Sequence, residues 1–330
     1  MMKNIDIKKI VVALTVIMFI SFSVALILFF LTGGFKGFKG FNFTGKNSIL
    51  NKEETINIKN ISNIEVNTIS EDVIIIPTDS IEAKVCFYTN ASEGNNNFIP
   101  ELSIYQNNKD LKINIKHKKI FQITVFNFHE RSRLEVYLPT EYSKNISIAT
   151  VSADIFIDNF KFNNVDYRTV SGDIKIDKIN ANDIRVNTTS GDIKINGECN
   201  NFNMRTVSGD FISSELFTNE SELKSTSGNV SIKEFKGDLF SNSVSGDIEI
   251  NYIEFDNDII IKTTSGDIEI VLPKDAEFKL NFKSTSGDYK SDFPITIKNI
   301  NKRHNIEGVV SNEKNKIEIN TVSGDLDILD

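Results

Sequence analysis

The chain reads as an all-β, single-chain β-solenoid, parallel β-helix-like, of ~19-residue two-strand coils with an N-terminal transmembrane helix. Three observations predict this. An eight-residue pattern recurs at nearly constant spacing, apolar and polar residues alternate on both sides of it, and a long uncharged apolar stretch stands near the start.

The apolar stretch comes first. Residues 10–31, IVVALTVIMFISFSVALILFFL, are 22 residues without a charge. As a helix they would span ~33 Å, the thickness of a bilayer core. A cleaved signal peptide has a shorter apolar core and a small-residue cleavage pattern. Here only Thr32-Gly33-Gly34 offers a weak site, so an uncleaved anchor is the expectation. Lys3, Lys8 and Lys9 precede it and Lys36, Lys39 and Lys46 follow, a near tie by the positive-inside rule. The short tail 1–9 is expected to stay in the cytoplasm. That places the rest outside, as a single-pass protein of the cell membrane. Residues 32–51 form a Gly/Phe/Lys linker, in which Phe35, Phe38, Phe41 and Phe43 with the lysines suit a headgroup zone.

Residues 52–145 read as further strands that cap the solenoid: 64–77, 83–90, 101–106, 110–118, 120–128 and 133–139. Asn107-Asn108-Lys109-Asp110 breaks two alternating runs and predicts a hairpin. Covering the first open edge would prevent edge-to-edge pairing.

From 146 to 330 the repeat dominates. Copies such as TVSGDIKI, TTSGDIKI and SVSGDIEI place their Ser at 152, 171, 190, 208, 227, 245, 265, 286 and 323. The steps are 19, 19, 18, 19, 18, 20, 21 and 37, the last suggesting a degenerate coil or an insertion. A relative, TISEDVII, starts at Thr68. In each unit apolar residues alternate before and after the Ser-Gly-Asp corner, as Ile184, Val186, Ile193 and Ile195 do. Alternation at period two means strands with one face buried. One unit cannot bury that face alone, so copies must stack. The chain stops inside such a strand motif, where Asp325, Asp327 and Asp330 would discourage stacking with another molecule.

The corner has a local reason. Gly172, Gly191, Gly209, Gly228, Gly246, Gly266, Gly287 and Gly324 are expected as structural turn glycines. The Asp and Ser side chains can bond neighbouring backbone in the turn. Ala153 replaces one Gly and Asn229 one Asp, which favours a structural role for the Asp column. The column is also a weak calcium candidate. Asp173, Asp192, Asp210, Asp247 and Asp267, with Asp154 and Asp288 beyond them, would stand ~5 Å apart along one edge. No other cofactor is expected.

These T-[VT]-S-G-D copies, with the segments 134–155, 271–289 and 315–328, resemble a bacterial putative-adhesin family of unknown function with β-strand repeats, including LiaG-like envelope-stress proteins. The resemblance spans about 55–330. It implies an adhesin-like or stress-related role in the cell envelope and carries no catalytic motif.

Charge limits the partners. Residues 1–50 carry a net +5, 51–149 a net −2 and 150–330 a net −11. An acidic body is a poor partner for nucleic acid or anionic polymer. No Trp is present to stack on sugars, and His117, His129 and His304 are isolated in sequence. Cys86 and Cys199 are expected as buried thiols, with a disulfide open outside the cytoplasm. The basic run Lys112, Lys116, Lys118 and Lys119 reads as solvated strand positions. No phosphate-binding glycine loop occurs. The expected function is a non-enzymatic interaction or adhesin-like module anchored through 10–31, its partner an envelope polymer or protein. A carbohydrate-active β-helix enzyme, with an acidic pair in a cleft, and a self-assembling scaffold are the alternatives.

Overall fold

The computed structural model describes residues 49–89, 100–117, 132–300 and 304–330. The anchor 10–31 and the strand expected at 120–128 lie outside them. Among the described residues no helix is long and apolar enough to cross a membrane. They form a sheet of 24 strands. β1 (Ile49–Ile56), β2 (Asn63–Asn67), β3 (Asp72–Thr78), β4 (Ala83–Thr89), β5 (Glu101–Asn107), β6 (Asp110–Lys116) and β7 (Arg133–Pro139) come first. β8 (Asn145–Ala149), β9 (Ile155–Lys161), β10 (Asn164–Arg168), β11 (Ile174–Asn187), β12 (Ile193–Arg205) and β13 (Phe211–Ser213) follow. Next are β14 (Leu216–Lys224), β15 (Val230–Asn242), β16 (Ile248–Tyr252), β17 (Ile259–Lys262) and β18 (Ile268–Val271). β19 (Phe278–Lys283), β20 (Tyr289–Ser291), β21 (Thr296–Ile300), β22 (Asn305–Val310), β23 (Asn315–Asn320) and β24 (Leu326–Leu329) end the chain. The strand at Ile49–Ile56 begins inside the segment expected to be linker.

Two parallel ladders run through the stack. One side reads β6-β2-β8-β10-β11-β12-β14-β15-β17-β23-β19. The other reads β7-β3-β9-β11-β12-β13-β15-β16-β18-β24-β20. Inward positions repeat in register from layer to layer, so Ile174 meets Ile193 and Ile176 meets Ile195. Ile184, Val186, Ile193 and Ile195 are all buried, as the alternation predicts. Burying such a side chain is worth about 1.5–3 kcal/mol, and the stack repeats that gain in every layer.

The chain departs from the predicted two-turn coil at the second corner. β11, β12 and β15 run through it as bent strands, with register shifts between Ile176 and Ile179 and between Ile232 and Phe235. Lys178 takes φ 57°, and Gly197 and Gly237 take φ 149° and 129°. A bulge adds a residue and bends the strand, so no separate turn is needed.

Both ends break the sequence order. At the first end, the layer containing β2 and β3 lies between β6/β7 and β8/β9. At the other, β23 and β24 enter between β17/β18 and β19/β20. The last motif therefore does not end the stack, and Asp325 and Asp327 sit between two layers. The long step of 37 holds an insertion rather than a degenerate coil. It holds β21 and β22, an antiparallel pair laid on β19. The antiparallel strands β5, on β6, and β4, on β7, close the first end, and β1 pairs with β4. The predicted hairpin is the β5–β6 turn, with Asn108 at φ 47°.

Two corners and the groove between their files

The Ser-Gly-Asp corner is built from backbone approaching backbone. A Cβ on Gly172 or Gly191 would stand 1.8 or 1.9 Å from the carbonyl oxygen of Ala153 or Gly172 in the preceding layer. Gly209, Gly228, Gly246 and Gly266 also have φ between 117° and 142°, but Gly172, Gly191, Gly287 and Gly324 do not have positive φ. Turn conformation therefore explains half of the glycine column, and close approach explains all of it. Two peptide settings follow. The N–H of Gly172, Gly191 and Gly324 donates to the motif hydroxyl of Thr169, Thr188 and Thr321 at 3.0–3.1 Å. At Gly246 and Gly266 the motif hydroxyls of Ser243 and Thr263 donate instead to the carbonyls of Ser245 and Ser265.

The aspartates bond between layers rather than within the turn. Oδ1 of Asp173 accepts the N–H of Asp192 at 2.9 Å, and Oδ1 of Asp192 accepts that of Asp210 at 3.0 Å. Asn229 continues the file, accepting from Asp247 at 2.9 Å, and Asp247 accepts from Asp267 at 2.9 Å. Asp325 then accepts from Asp288 at 2.8 Å, in stack order rather than chain order. An amide oxygen serves as well as a carboxylate here, which is why Asn229 fits. The calcium candidates Asp173, Asp192, Asp210, Asp247 and Asp267 thus stand in single file, each giving Oδ1 to the next layer's backbone. Among the described residues no group of three or more His, Cys, Asp or Glu side chains is placed to hold a metal ion.

This corner has a direction at three motif positions: the N–H groups of residues such as Val170, Ser171 and Asp173 donate to the layer before. Among the described residues, side chains meet N–H groups at the first corner of the file and a carbonyl at the last. Glu71, buried at the first, accepts from the backbone of Ile69 and Ser70, with His117 Nε2 3.1 Å from its Oε1. At the last, His304 Nδ1 donates to the Gly287 carbonyl at 2.8 Å and stands 3.5 Å from Asp288. Two of the histidines that look isolated in sequence therefore meet the ends of this column; His129 lies outside the described residues.

The second corner is built from side chains. Asn163, Asn182, Asn200 and Asn219 form one exposed file in successive layers. Asn200 Nδ2 donates to Asn182 Oδ1 at 2.5 Å, and Asn219 Nδ2 to Asn200 Oδ1 at 3.2 Å. Lys161, Asn180, Glu198, Phe217 and Lys236 form a second file, in register with it. Between them the floor is Phe162, Ala181, Cys199 and Thr218, all buried. Between the two exposed files this buried floor leaves a groove of about 630 Å³. At its first end it meets a hollow of about 620 Å³, where Ile58, Ile61 and Tyr142 lie beside Lys59 and Lys144. Sequence reading missed this file. Its signal was an Asn ten or eleven residues after the motif Ser, at 182, 200 and 219.

Cys199 forms part of the groove floor as a free thiol, as Cys86 is elsewhere in the core. Burial, aided by Asp183 and Glu198, pushes the Cys199 thiol up to about 12, so it stays protonated and unreactive.

The outer face of the first ladder carries a shallower depression of about 490 Å³, with Glu220, Glu222, Asp238 and Asp258. This is where an acidic pair for hydrolysis would be sought. Asp238 Oδ1 accepts the Asp258 N–H at 2.9 Å, and Asp258 Oδ1 accepts that of Lys316 at 2.8 Å. Glu222 is gripped by Lys224, with Asn203 and Arg205 beside it, and Lys224 holds its carboxyl below the usual range. Three of these four carboxylates thus serve as backbone acceptors or ion-pair partners. In the basic run, Lys112 pairs with Glu65 at 2.8 Å; Lys118 and Lys119 lie outside the described residues.

The family model described as Toastrack DUF4097 matches residues 61–329. No curated protein matches by sequence. Among solved structures, a putative adhesin from Bacteroides fragilis is 15% identical, with 86% of this chain and 98% of that one covered, at a TM-score of 0.46. A putative lipid binding protein from Parabacteroides distasonis is 15% identical, with 87% and 98% covered, at 0.49. A putative cell adhesion protein from Clostridium sporogenes is 16% identical, with 84% and 98% covered, at 0.30.

Proposed function

The chain belongs to the Toastrack family, and from that premise we propose that it is a non-enzymatic, adhesin-like interaction module of the cell envelope, anchored by residues 10–31 with its solenoid outside the cytoplasm. The observation that carries this is the repetition of outward side-chain files, layer upon layer, along the second corner. A stack of equivalent layers offers the same chemical groups at a constant pitch, which suits an extended partner better than a small substrate. The engagement of Asp238, Asp258 and Glu222 in backbone and ion-pair contacts supports a binding rather than a hydrolytic role. The uncharged apolar stretch 10–31 supports the anchor, and the resemblance of the repeat to LiaG-like proteins supports a link to envelope stress.

The test is binding of the full-length protein, in detergent, to isolated envelope fractions with and without EDTA. Saturable binding to an envelope fraction is the expected result; no binding to any fraction overturns the reading. Loss of binding with EDTA would turn the Asp file into a cation site. Resistance of the membrane-bound protein to alkaline extraction is expected from the anchor, and release into the supernatant would refute it.

A further inference from the structure

We propose that the second-corner groove binds a neutral glycan chain laid along the stack; this deepens the interaction-module reading and rests on it. Three features of the groove select that chemistry.

The first is its polar lining. Asn163, Asn182, Asn200 and Asn219 present amides in successive layers. An amide has two N–H donors and a carbonyl with two lone pairs. Each of the four uses one donor, Asn163 to Asn145, Asn182 to Asp183, Asn200 to Asn182 and Asn219 to Asn200, and Asn182 and Asn200 each use one acceptor position. Each amide keeps donor or acceptor capacity for a ligand, and hydroxyl and acetamido groups are the complementary partners.

The second is pitch. Successive layers of a parallel ladder stand ~4.8 Å apart. That is close to the length of one sugar in an extended chain, so each unit of the polymer meets the same amide. The groove runs from Lys161 to Lys236, across successive layers, and Phe217 and Ile253 add apolar surface for sugar ring faces.

The third is charge. The lining carries Lys161 and Lys236 against Glu198 and Glu254, and the last two of the corner, Lys236 and Glu254, pair with each other. The lining is neutral within a body that carries a net −13 from residue 51 onward. A polyanion meets repulsion from that body, and the groove offers no surplus cation to offset it.

The experiment is calorimetric titration of the full-length protein in detergent with chitohexaose, and separately with polygalacturonate as the anionic counterpart. Saturable binding of chitohexaose, insensitive to salt, is expected. The Asn182→Ala/Asn200→Ala variant should weaken it about ten-fold, with an unchanged melting temperature. Val207→Thr, on the opposite corner, should leave it unchanged. Ile253→Ala, at a side chain 48% exposed, gives an independent variant that keeps the fold and should also weaken binding. Preference for polygalacturonate, or full affinity in a folded Asn182→Ala/Asn200→Ala variant, would overturn the proposal. If that variant still binds envelope fractions as wild type does, the groove is the wrong site and the interaction module stands. If wild type binds neither chitohexaose nor any envelope fraction, both readings fall.

Discussion

The two corners of each layer solve one problem in opposite ways. At the Ser-Gly-Asp corner, neighbouring layers touch through backbone, and the room for a Cβ on Gly191 is 1.9 Å. The residue types there scarcely vary, because the contact they make excludes side chains. At the second corner the paired strands bulge, Asn, Lys, Glu and Phe side chains line up outward, and a groove opens between two files. Composition is free to vary there. The invariant repeat is thus the scaffold, and the irregular corner is the surface on which a ligand can be chosen. That reverses the first impression given by the sequence, in which the repeated Asp column looks like the site.

The contrast can be broken by substitution. Gly191→Ala should have the largest effect, because two layers must shift to admit one methyl group. A loss of about 3–5 kcal/mol is expected in denaturant unfolding, and a loss under about 1 kcal/mol would show that the corner is pliable. Asp192→Ala comes next. It leaves the N–H of Asp210 without its 3.0 Å acceptor, at about 1–3 kcal/mol, whereas Asp192→Asn should be nearly neutral, as Asn229 already shows in its own layer. Equal costs for the two substitutions would mean that charge, and hence a bound cation, matters more than the hydrogen bond.

Cys199 gives a pH test confined to the second corner. Its folded-state value of about 12 lies above the ordinary thiol value of 9.0, so the folded state holds the proton more tightly. The stability tied to the neutral thiol is complete below pH 9 and is lost as pH rises toward 12. Wild type should therefore lose stability faster than Cys199→Ala over that window, by at most about 1.4 kcal/mol per pH unit. Parallel curves would place the thiol in contact with water. Asn200→Ala should have the smallest effect on stability, under about 1 kcal/mol, since both ladder partners are exposed and can turn to water. A larger loss would make the Asn file structural and bring the two corners closer in kind.

The ends of the stack extend the same lesson. At three motif positions the Ser-Gly-Asp column donates its N–H groups one way, and among the described residues it is met by an acceptor at one end and a donor at the other. Glu71 takes the spare N–H groups, and His304 supplies the missing donor. Glu71 stands where the repeat would have its Gly, so the departure visible in TISEDVII marks the first of the described corners of the column. Nothing in the spacing of His304 announced its role, because it reaches the corner from the strand pair that covers the last layer.

Strand alternation, the buried faces and the glycine corners were determined by the sequence alone. Each depends on contacts repeated at a fixed separation, so a period near 19 writes them directly into the chain. The order of the layers was decided only in the folded molecule. The second motif residue is exposed and follows the stack as Val170, Thr189, Val207, Thr226, Val244, Thr264, Val322, Thr285. In chain order the alternation of Val and Thr fails between Thr264 and Thr285. From Val170 onward it is complete once the final motif is inserted ahead of the one at Thr285, whereas Val151 and Val170 before it are alike. β-Branched side chains pack against the neighbours they meet in space. Equivalent repeats carry no local signal of which neighbour that will be. The antiparallel strands that must cover both open edges settle it, by requiring the chain to turn back before its last layer is in place.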